Sequence, residues 1–253
     1  MEKIAARSLS VSGPAVGAAP KAVLFDAYGT LFDVYSVALL AEQLCPGRGE
    51  ALAVLWRDKQ IEYTRLVTMS APGGERYRPF WELTRAALRF AALRLQLDLG
   101  RDGEDRLMNQ YRALSAFPEV REVLEALKAR GIPAGILSNG DPAMLGVAVR
   151  SAGLENVLEH VISVEAVRAF KTDPRAYALG PQTLGLAAKQ ILFVSSNGWD
   201  ALGATWYGYT TLWVNRAGLP PEQLDTPTGT PTGTPTRTAA SLREVLGFFP
   251  TTS

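Results

Sequence analysis

Asp26, Lys171 and a set of hydroxyl and amide side chains are the residues of this sequence best suited to chemistry. Asp26 ends the apolar run Ala22-Val23-Leu24-Phe25 and is followed by Ala27-Tyr28-Gly29-Thr30-Leu31-Phe32-Asp33. A carboxylate in that place is able to attack an electrophilic carbon, to ligate a metal ion, or only to cap the turn that Gly29 marks. Further polar groups follow later apolar runs: Ser138-Asn139-Gly140, then Lys171, then Ser195-Ser196-Asn197-Gly198. Taken singly, serine and asparagine after strands are common turn or N-cap residues, and a loop lysine is commonly solvated. Their recurrence at strand ends, with a carboxylate, hydroxyls and one lysine, favours a site.

The elements that must position these groups follow from the apolar pattern. Ala22–Phe25 lacks polar alternation, as a parallel strand buried on both faces does, so Asp26 falls at a carboxyl end, where open α/β sheets hold ligands. From Phe117 onward the pattern alternates. Strands are predicted at Ile132–Leu137, Val161–Val164, Ile191–Val194 and Thr210–Val214. Helices are predicted at Glu119–Arg130, from Asp141-Pro142, at Arg175–Thr183, at Trp199–Tyr207 and, last, over Ser241–Phe249. Repeated β-then-α units imply a parallel sheet. Residues 34–117 carry few strand signals and several helical runs, one with a face of Leu83, Ala87, Phe90, Ala91 and Leu95. Pro46-Gly47 and Pro72-Gly73-Gly74 separate those runs. The fold class expected is α/β, a Rossmann-like parallel-sheet core with an inserted helical cap. Residues 21–33 and 118–253 form the core in this division, and 34–117 the cap. Residues 1–20 are expected to be a disordered tail, and the Thr-Pro-Thr-Gly repeats at 226–236 a low-complexity loop within the core.

Composition narrows the chemistry. The chain has 253 residues, 47% of them hydrophobic and 20% charged, which fits a globular enzyme with a sizeable core. A net charge of +1 supplies no electrostatic case for nucleic acid or an anionic membrane. No run approaches the roughly 18 consecutive apolar residues of a membrane span. One cysteine, Cys45, excludes an intrachain disulfide and a cysteine zinc cluster, and suits the cytoplasm. One histidine, His160, would have to serve any histidine-based triad, and its place between a helix end and a strand reads as structural.

Asp26-x-x-Gly29-Thr30, Ser138-Asn139, Lys171 and the acidic Asp200 together resemble the haloacid dehalogenase superfamily. The closer resemblance is to the type II, or L-2-haloacid dehalogenase, family. It rests on Phe25-Asp26-Ala27-Tyr28-Gly29-Thr30-Leu31-Phe32-Asp33-Val34, Leu55-Trp56-Arg57, Ile136-Leu137-Ser138-Asn139-Gly140 and Phe193-Val194-Ser195-Ser196-Asn197-Gly198-Trp199-Asp200. Phosphatases of the superfamily place a second aspartate two residues after the nucleophile to protonate a leaving alkoxide. Here that residue is Tyr28. Halide leaves without a proton, and the single carboxylate Asp200 is thin support for a hard divalent cation. No cofactor and no metal are expected.

The resemblance implies that Asp26 attacks C2 of a short L-2-haloalkanoic acid with inversion, and that water then hydrolyses the Asp26 ester to release the D-2-hydroxyacid. Lys171 is expected to pair with Asp26, and Arg57, from the cap, to stabilise the departing halide. Thr30, Ser138, Ser195 and Asn197 match residues that position Asp26, the substrate carboxylate and the water. Asp200 matches the residue that helps to activate the water, and Tyr177 belongs to the same catalytic set. Tyr28, Ile61, Phe80 and Trp199 match an apolar wall around the substrate, with Ala27 and Asn139 also on the substrate side. Without the resemblance, Trp199 and Phe80 read as core aromatics and Arg57 as a surface residue of an amphipathic helix. Asp33 is expected to support the turn or cap the first helix of the insert. Ala27, Asp58 and Thr172 depart from the family pattern. A cytoplasmic homodimer acting on a small molecule, with no nucleic-acid or membrane partner, is the expected form. The rivals are a phosphatase or phosphonatase-like hydrolase of the same fold and a noncatalytic binding module, since fold alone does not decide chemistry.

Overall fold

Strand β1, Ala22–Phe25, is completely buried and lies inside a sheet of order β3-β2-β1-β4-β5-β6. The other strands are β2 (Ala134–Ser138), β3 (His160–Ser163), β4 (Ile191–Ser195), β5 (Thr210–Val214) and β6 (Arg237–Ala239), and every pairing is parallel. The computed structural model describes residues 19–224 and 234–250. Most of the expected N-terminal tail, and residues 226–233 of the Thr-Pro-Thr-Gly segment, lie outside the described residues.

The chain runs from β1 outward through β2 to β3, then returns to the other side of β1 with β4. Sheet order therefore reverses at β1, and the crevice outside the carboxyl ends there is where such sheets take ligands. Register aligns the relevant positions: Phe25 faces Ile136 on one side and Val194 on the other. Asp26, Ser138 and Ser195 consequently share one edge of the sheet. His160 opens β3, at the other end, opposite Gly135.

Between β1 and β2 the chain forms α1 (Val37–Leu44), α2 (Gly49–Met69), α3 (Phe80–Arg94) and α4 (Gly100–Arg112), then returns to the core with α5 (Val120–Ala129). The core is completed by α6 (Pro142–Ser151), α7 (Pro174–Leu184) and α8 (Gly198–Tyr207). The buried stripe of α2 is Leu52, Ala53, Trp56, Arg57, Gln60 and Thr64. Its spacing is helical, yet half of it is polar, so apolar periodicity alone does not find it. On α3 the buried face is centred on Thr84, Ala87, Leu88 and Ala91, rotated from the expected one. Phe90 is only half-buried, its ring covered on one face by the Lys59 ammonium 4.3 Å from the centroid.

Two further differences lie at the C-terminal end. β6 is a three-residue edge strand without an apolar run. The expected last helix is a 3₁₀ segment, Leu242–Phe248, whose end is held from outside: Arg130 Nη1 donates to Leu246 O and Phe249 O at 3.0 and 2.8 Å.

One carboxylate joins the helical insert to the core. Asp141 Oδ1 accepts the Met144 N–H at 3.0 Å and caps α6, while Oδ2 accepts the Trp81 N–H, in the first turn of α3, at 3.0 Å. An N-cap contributes about 1 kcal/mol, and a second bond to a buried carboxylate about as much again. Asp141→Ala should therefore lower unfolding stability by about 2 kcal/mol in urea melts, and Asp141→Asn by about half of that. A loss for the alanine variant below about 0.5 kcal/mol would contradict the double capping role.

Candidate active site

Asp26 begins the site because its N–H completes the sheet, donating to Val194 O at 2.8 Å, after which the chain folds away into a tight turn. The Ala27 carbonyl accepts from the Leu31 and Phe32 N–H groups at 2.9 and 3.0 Å. Gly29 sits at φ +94°, a conformation that strains any residue carrying a Cβ. Asp33 supports the same turn, its Oδ1 accepting the Tyr35 N–H at 2.9 Å. The turn folds Thr30 back onto the carboxylate.

Each oxygen of Asp26, a side chain almost wholly buried, is matched to donors. Oδ1 accepts from Lys171 Nζ at 3.1 Å; Oδ2 accepts from Thr30 Oγ1 at 3.1 Å and Asn197 Nδ2 at 2.9 Å. Thr30 Oγ1 in turn accepts the Ser196 N–H at 2.8 Å, which leaves its own proton for Asp26. Lys171, 1% exposed, also donates to Asp200 Oδ2 at 3.0 Å, and Tyr177 OH donates to Asp200 Oδ1 at 2.8 Å. One ammonium therefore bridges two buried carboxylates. Burial pushes the Asp200 carboxyl above its ordinary range, with the Asp26 charge adding to the rise and Lys171 and Tyr177 opposing it.

Arg57 approaches from the helical insert. Its Nη2 donates to Tyr28 O at 3.2 Å and Asn197 Oδ1 at 3.3 Å, so the Asn197 amide links the guanidinium to Asp26. Arg57 and Asn197 also line a cleft of about 780 Å³ between α2 and the loops after β4 and β5. At its lip the Arg65 guanidinium stacks on Trp199, 5.1 Å from the ring centroid.

The remaining expected positions are distributed around this centre. The apolar wall is split: Ile61 and Trp199 line the outer cleft, whereas Tyr28 and Phe80 do not, and their rings pack together in the interior at 5.5 Å. Arg57 occupies the border between the two pairs because the buried stripe of α2 carries it inward rather than to the surface. Ser138 and Ser195 are buried, their Oγ atoms accepting the Gly140 and Asn197 N–H groups, both at 3.1 Å. Asn139 Oδ1 accepts the Lys171 N–H at 2.9 Å, which anchors the lysine loop. His160 stands at the far end of the sheet.

Sequence reasoning missed Gln60, Thr84 and Tyr111, which hold Arg57 from behind, and it missed Arg216. The Arg216 guanidinium donates to Glu119 Oε1 and Ser196 Oγ, both at 2.8 Å, and to Thr30 O at 3.1 Å. Its signal was available: Arg216 lies just past the carboxyl end of β5, the edge where the other groups cluster. Among the described residues no group of three or more His, Cys, Asp or Glu side chains is gathered to hold a metal ion, and no helix is long and apolar enough to cross a membrane.

Residues 20–208 match the family described as haloacid dehalogenase-like hydrolase. The chain belongs to that family. Its relatives narrow the comparison: it is 42% identical to the (S)-2-haloacid dehalogenase of Pseudomonas sp. (strain YL), over 92% of this chain and 96% of that protein. The crystal structure of the L-2-haloacid dehalogenase RSc1362 superposes with a TM-score of 0.86 at 57% identity, covering 91% of this chain and 98% of the other. The L-2-haloacid dehalogenase of Xanthobacter autotrophicus, solved with chloropropionic acid covalently bound, matches at 35% identity with a TM-score of 0.77, covering 89% and 96%.

Proposed function

We propose that this chain hydrolyses the carbon–halogen bond of short L-2-haloalkanoic acids, giving the D-2-hydroxyacid and halide. One observation carries the reading. Asp26 is paired with Lys171 and held by Thr30 and Asn197, while two residues downstream stands Tyr28, a phenol with no hydrogen-bond partner among the described residues, whose ionisation burial pushes well above the usual range. No carboxylic acid stands at that position to protonate a leaving alkoxide, which disfavours phosphate-ester chemistry. Halide needs no proton. A noncatalytic role would leave no reason for a buried, paired nucleophile and lysine.

In this mechanism an Asp26 oxygen forms a bond to C2 as the C–halogen bond breaks and its electron pair leaves with the halide, beside Arg57. Water then adds to the Asp26 carbonyl carbon, the acyl carbon–oxygen bond to the product breaks, and the original Asp26 oxygen departs as the product alkoxide. The alkoxide takes up the proton that the attacking water gives to Asp200; the new Asp26 carboxyl loses its proton to solvent and the carboxylate is restored. The water's proton passes to the Asp200–Lys171 pair, where the raised Asp200 carboxyl suits a proton acceptor. Residues 34–117 act as the cap over a core of 21–33 and 118–253. A homodimer is supported by exposed apolar side chains on the cap, among them Leu39, Leu66, Met69 and Leu93, and a cytoplasmic setting by the single cysteine.

The test is chloride release from each enantiomer of 2-chloropropionate in the presence of EDTA. The L-enantiomer should be consumed with release of D-lactate, and the D-enantiomer should be a poor substrate. Equal turnover of both, or activity lost to EDTA and restored by magnesium specifically, would refute the reading.

Tyr177→Phe gives a pH test of the same chemistry. The phenol donates to Asp200 and favours its ionised form, so removing it raises the carboxyl further. Asp200 must be ionised to accept a proton, and a higher pKa means that activity is lost earlier as pH falls. The acid limb of the kcat profile should shift to higher pH. A limb that stays in place would exclude Asp200 as the titrating group.

A further inference from the structure

The structure assigns Gln60 as the residue that aims Arg57 at the departing halide, a positioning role resting on the reading of Arg57 given above. Gln60 is wholly buried on α2, one turn beyond Arg57, and its Oε1 accepts from Arg57 Nη1 at 2.6 Å and from Tyr111 OH at 3.0 Å. Its Nε2 donates to Thr84 Oγ1 at 2.7 Å, and Thr84 Oγ1 donates to Phe80 O at 2.7 Å. Because the Thr84 proton points at that carbonyl, only its lone pairs face Gln60, and the amide must present nitrogen to Thr84 and oxygen to Arg57. No alternative orientation satisfies every buried group. Three helices of the insert, α2, α3 and α4, thus meet on one amide.

The consequence is a division of the guanidinium. Nη1 is tied within the insert, and Nη2 is turned toward Tyr28 O and Asn197 Oδ1, beside Asp26. Without Gln60, Nη1 loses its buried acceptor, and the side chain gains reason to swing into the cleft toward water. A neutral amide also orients the guanidinium without cancelling its charge, which a carboxylate at this position would do. A charge meant for a leaving anion has to be held by a neutral group.

The test reads leaving-group dependence in single turnovers of L-2-chloro- and L-2-bromopropionate, where chemistry rather than release is measured. Chloride is the poorer leaving group and the stronger hydrogen-bond acceptor, so weakening Arg57 penalises it more. Arg57→Lys should raise the bromide-over-chloride rate ratio about tenfold, because lysine does not reproduce the planar fork. Gln60→Leu should move the ratio in the same direction and lower the chloride rate by about 10- to 100-fold, with KM changed by less than about threefold. Gln60→Glu should also raise the ratio. Tyr111→Phe, which keeps the packing and removes one donor to Gln60, should give a smaller shift of the same sign and provides the answer if Gln60→Leu fails to fold. If Arg57→Lys shifts the ratio and neither the Gln60 variants nor Tyr111→Phe do, the positioning role is wrong, whatever happens to overall rate. If Arg57→Lys leaves the ratio unchanged, the halide role of Arg57 itself is wrong.

Discussion

A single turnover in heavy-oxygen water should release a 2-hydroxyacid carrying ordinary oxygen, with the label left in the peptide that contains Asp26. The geometry prepares Asp26 for attack rather than for proton abstraction. Both its oxygens are held by donors, Lys171 on one and Thr30 and Asn197 on the other, so the carboxylate is fixed in direction. If Asp26 attacks C2, the first product takes its oxygen from the protein, and the second and later products take the solvent label that the first hydrolysis left behind. If Asp26 only activates water, the label appears in the first product and never in the peptide. Asp26→Asn should in addition abolish halide release, provided that the variant has not deamidated. Solvent oxygen in the first product, with Asp26 unlabelled, would exclude the ester.

Replacing Lys171 should hurt both turnover and stability. Lys171→Met leaves Asp26 and Asp200 facing each other with no cation between them, both almost wholly buried. Losing a charged donor at a reacting group costs on the order of 10²–10³ in rate. Breaking a buried ion pair by removing one partner costs about 3–5 kcal/mol. The stability loss should depend on pH in a defined direction. Asp200 already stands above its ordinary range, and without the ammonium that opposes the rise it moves further up. A carboxyl raised by folding favours the folded state below its unfolded pKa, and that contribution disappears as pH rises through the folded value. The deficit of Lys171→Met against the wild type should therefore be larger at pH 8 than at pH 5 in urea unfolding. Equal deficits at the two pH values would show that the carboxylates are not coupled through the lysine.

The parts of this site that could be read from the sequence are those written in apolar runs. Asp26, Ser138 and Ser195 fall where such runs stop, and parallel register then brings them to one edge. Lys171 was legible only as one more polar group past a strand, and its pairing with Asp26, like the role of Arg57, came only through family resemblance, because a lysine in a loop and an arginine on a helix carry no local mark of burial. Gln60 was not reachable at all. Its importance lies in contacts with Thr84 and Tyr111, 24 and 51 residues away, and no periodicity on α2 announces them. The same reason hid β6: a three-residue edge strand is made by pairing with β5, not by its own sequence. The split of Tyr28 and Phe80 from Ile61 and Trp199 was hidden differently. Residue types suggest a hydrophobic wall, but only the packing of α2 shows where Arg57 divides it.

The shared carboxylate of Asp141 bears on how anything enters a site so closed. Its two oxygens serve helix termini on opposite sides of the seam, Met144 in the core and Trp81 in the insert. Swinging the insert away at that corner would strand a buried acceptor, and on the cleft side Arg57 and Thr68 of α2 also bond the core, at Asn197 and Phe170. The outer cleft is the open approach to Arg57 and Asn197, so Arg65 and Trp199 on its wall, rather than the residues nearest the nucleophile, are the ones that the bulk of an entering molecule meets first.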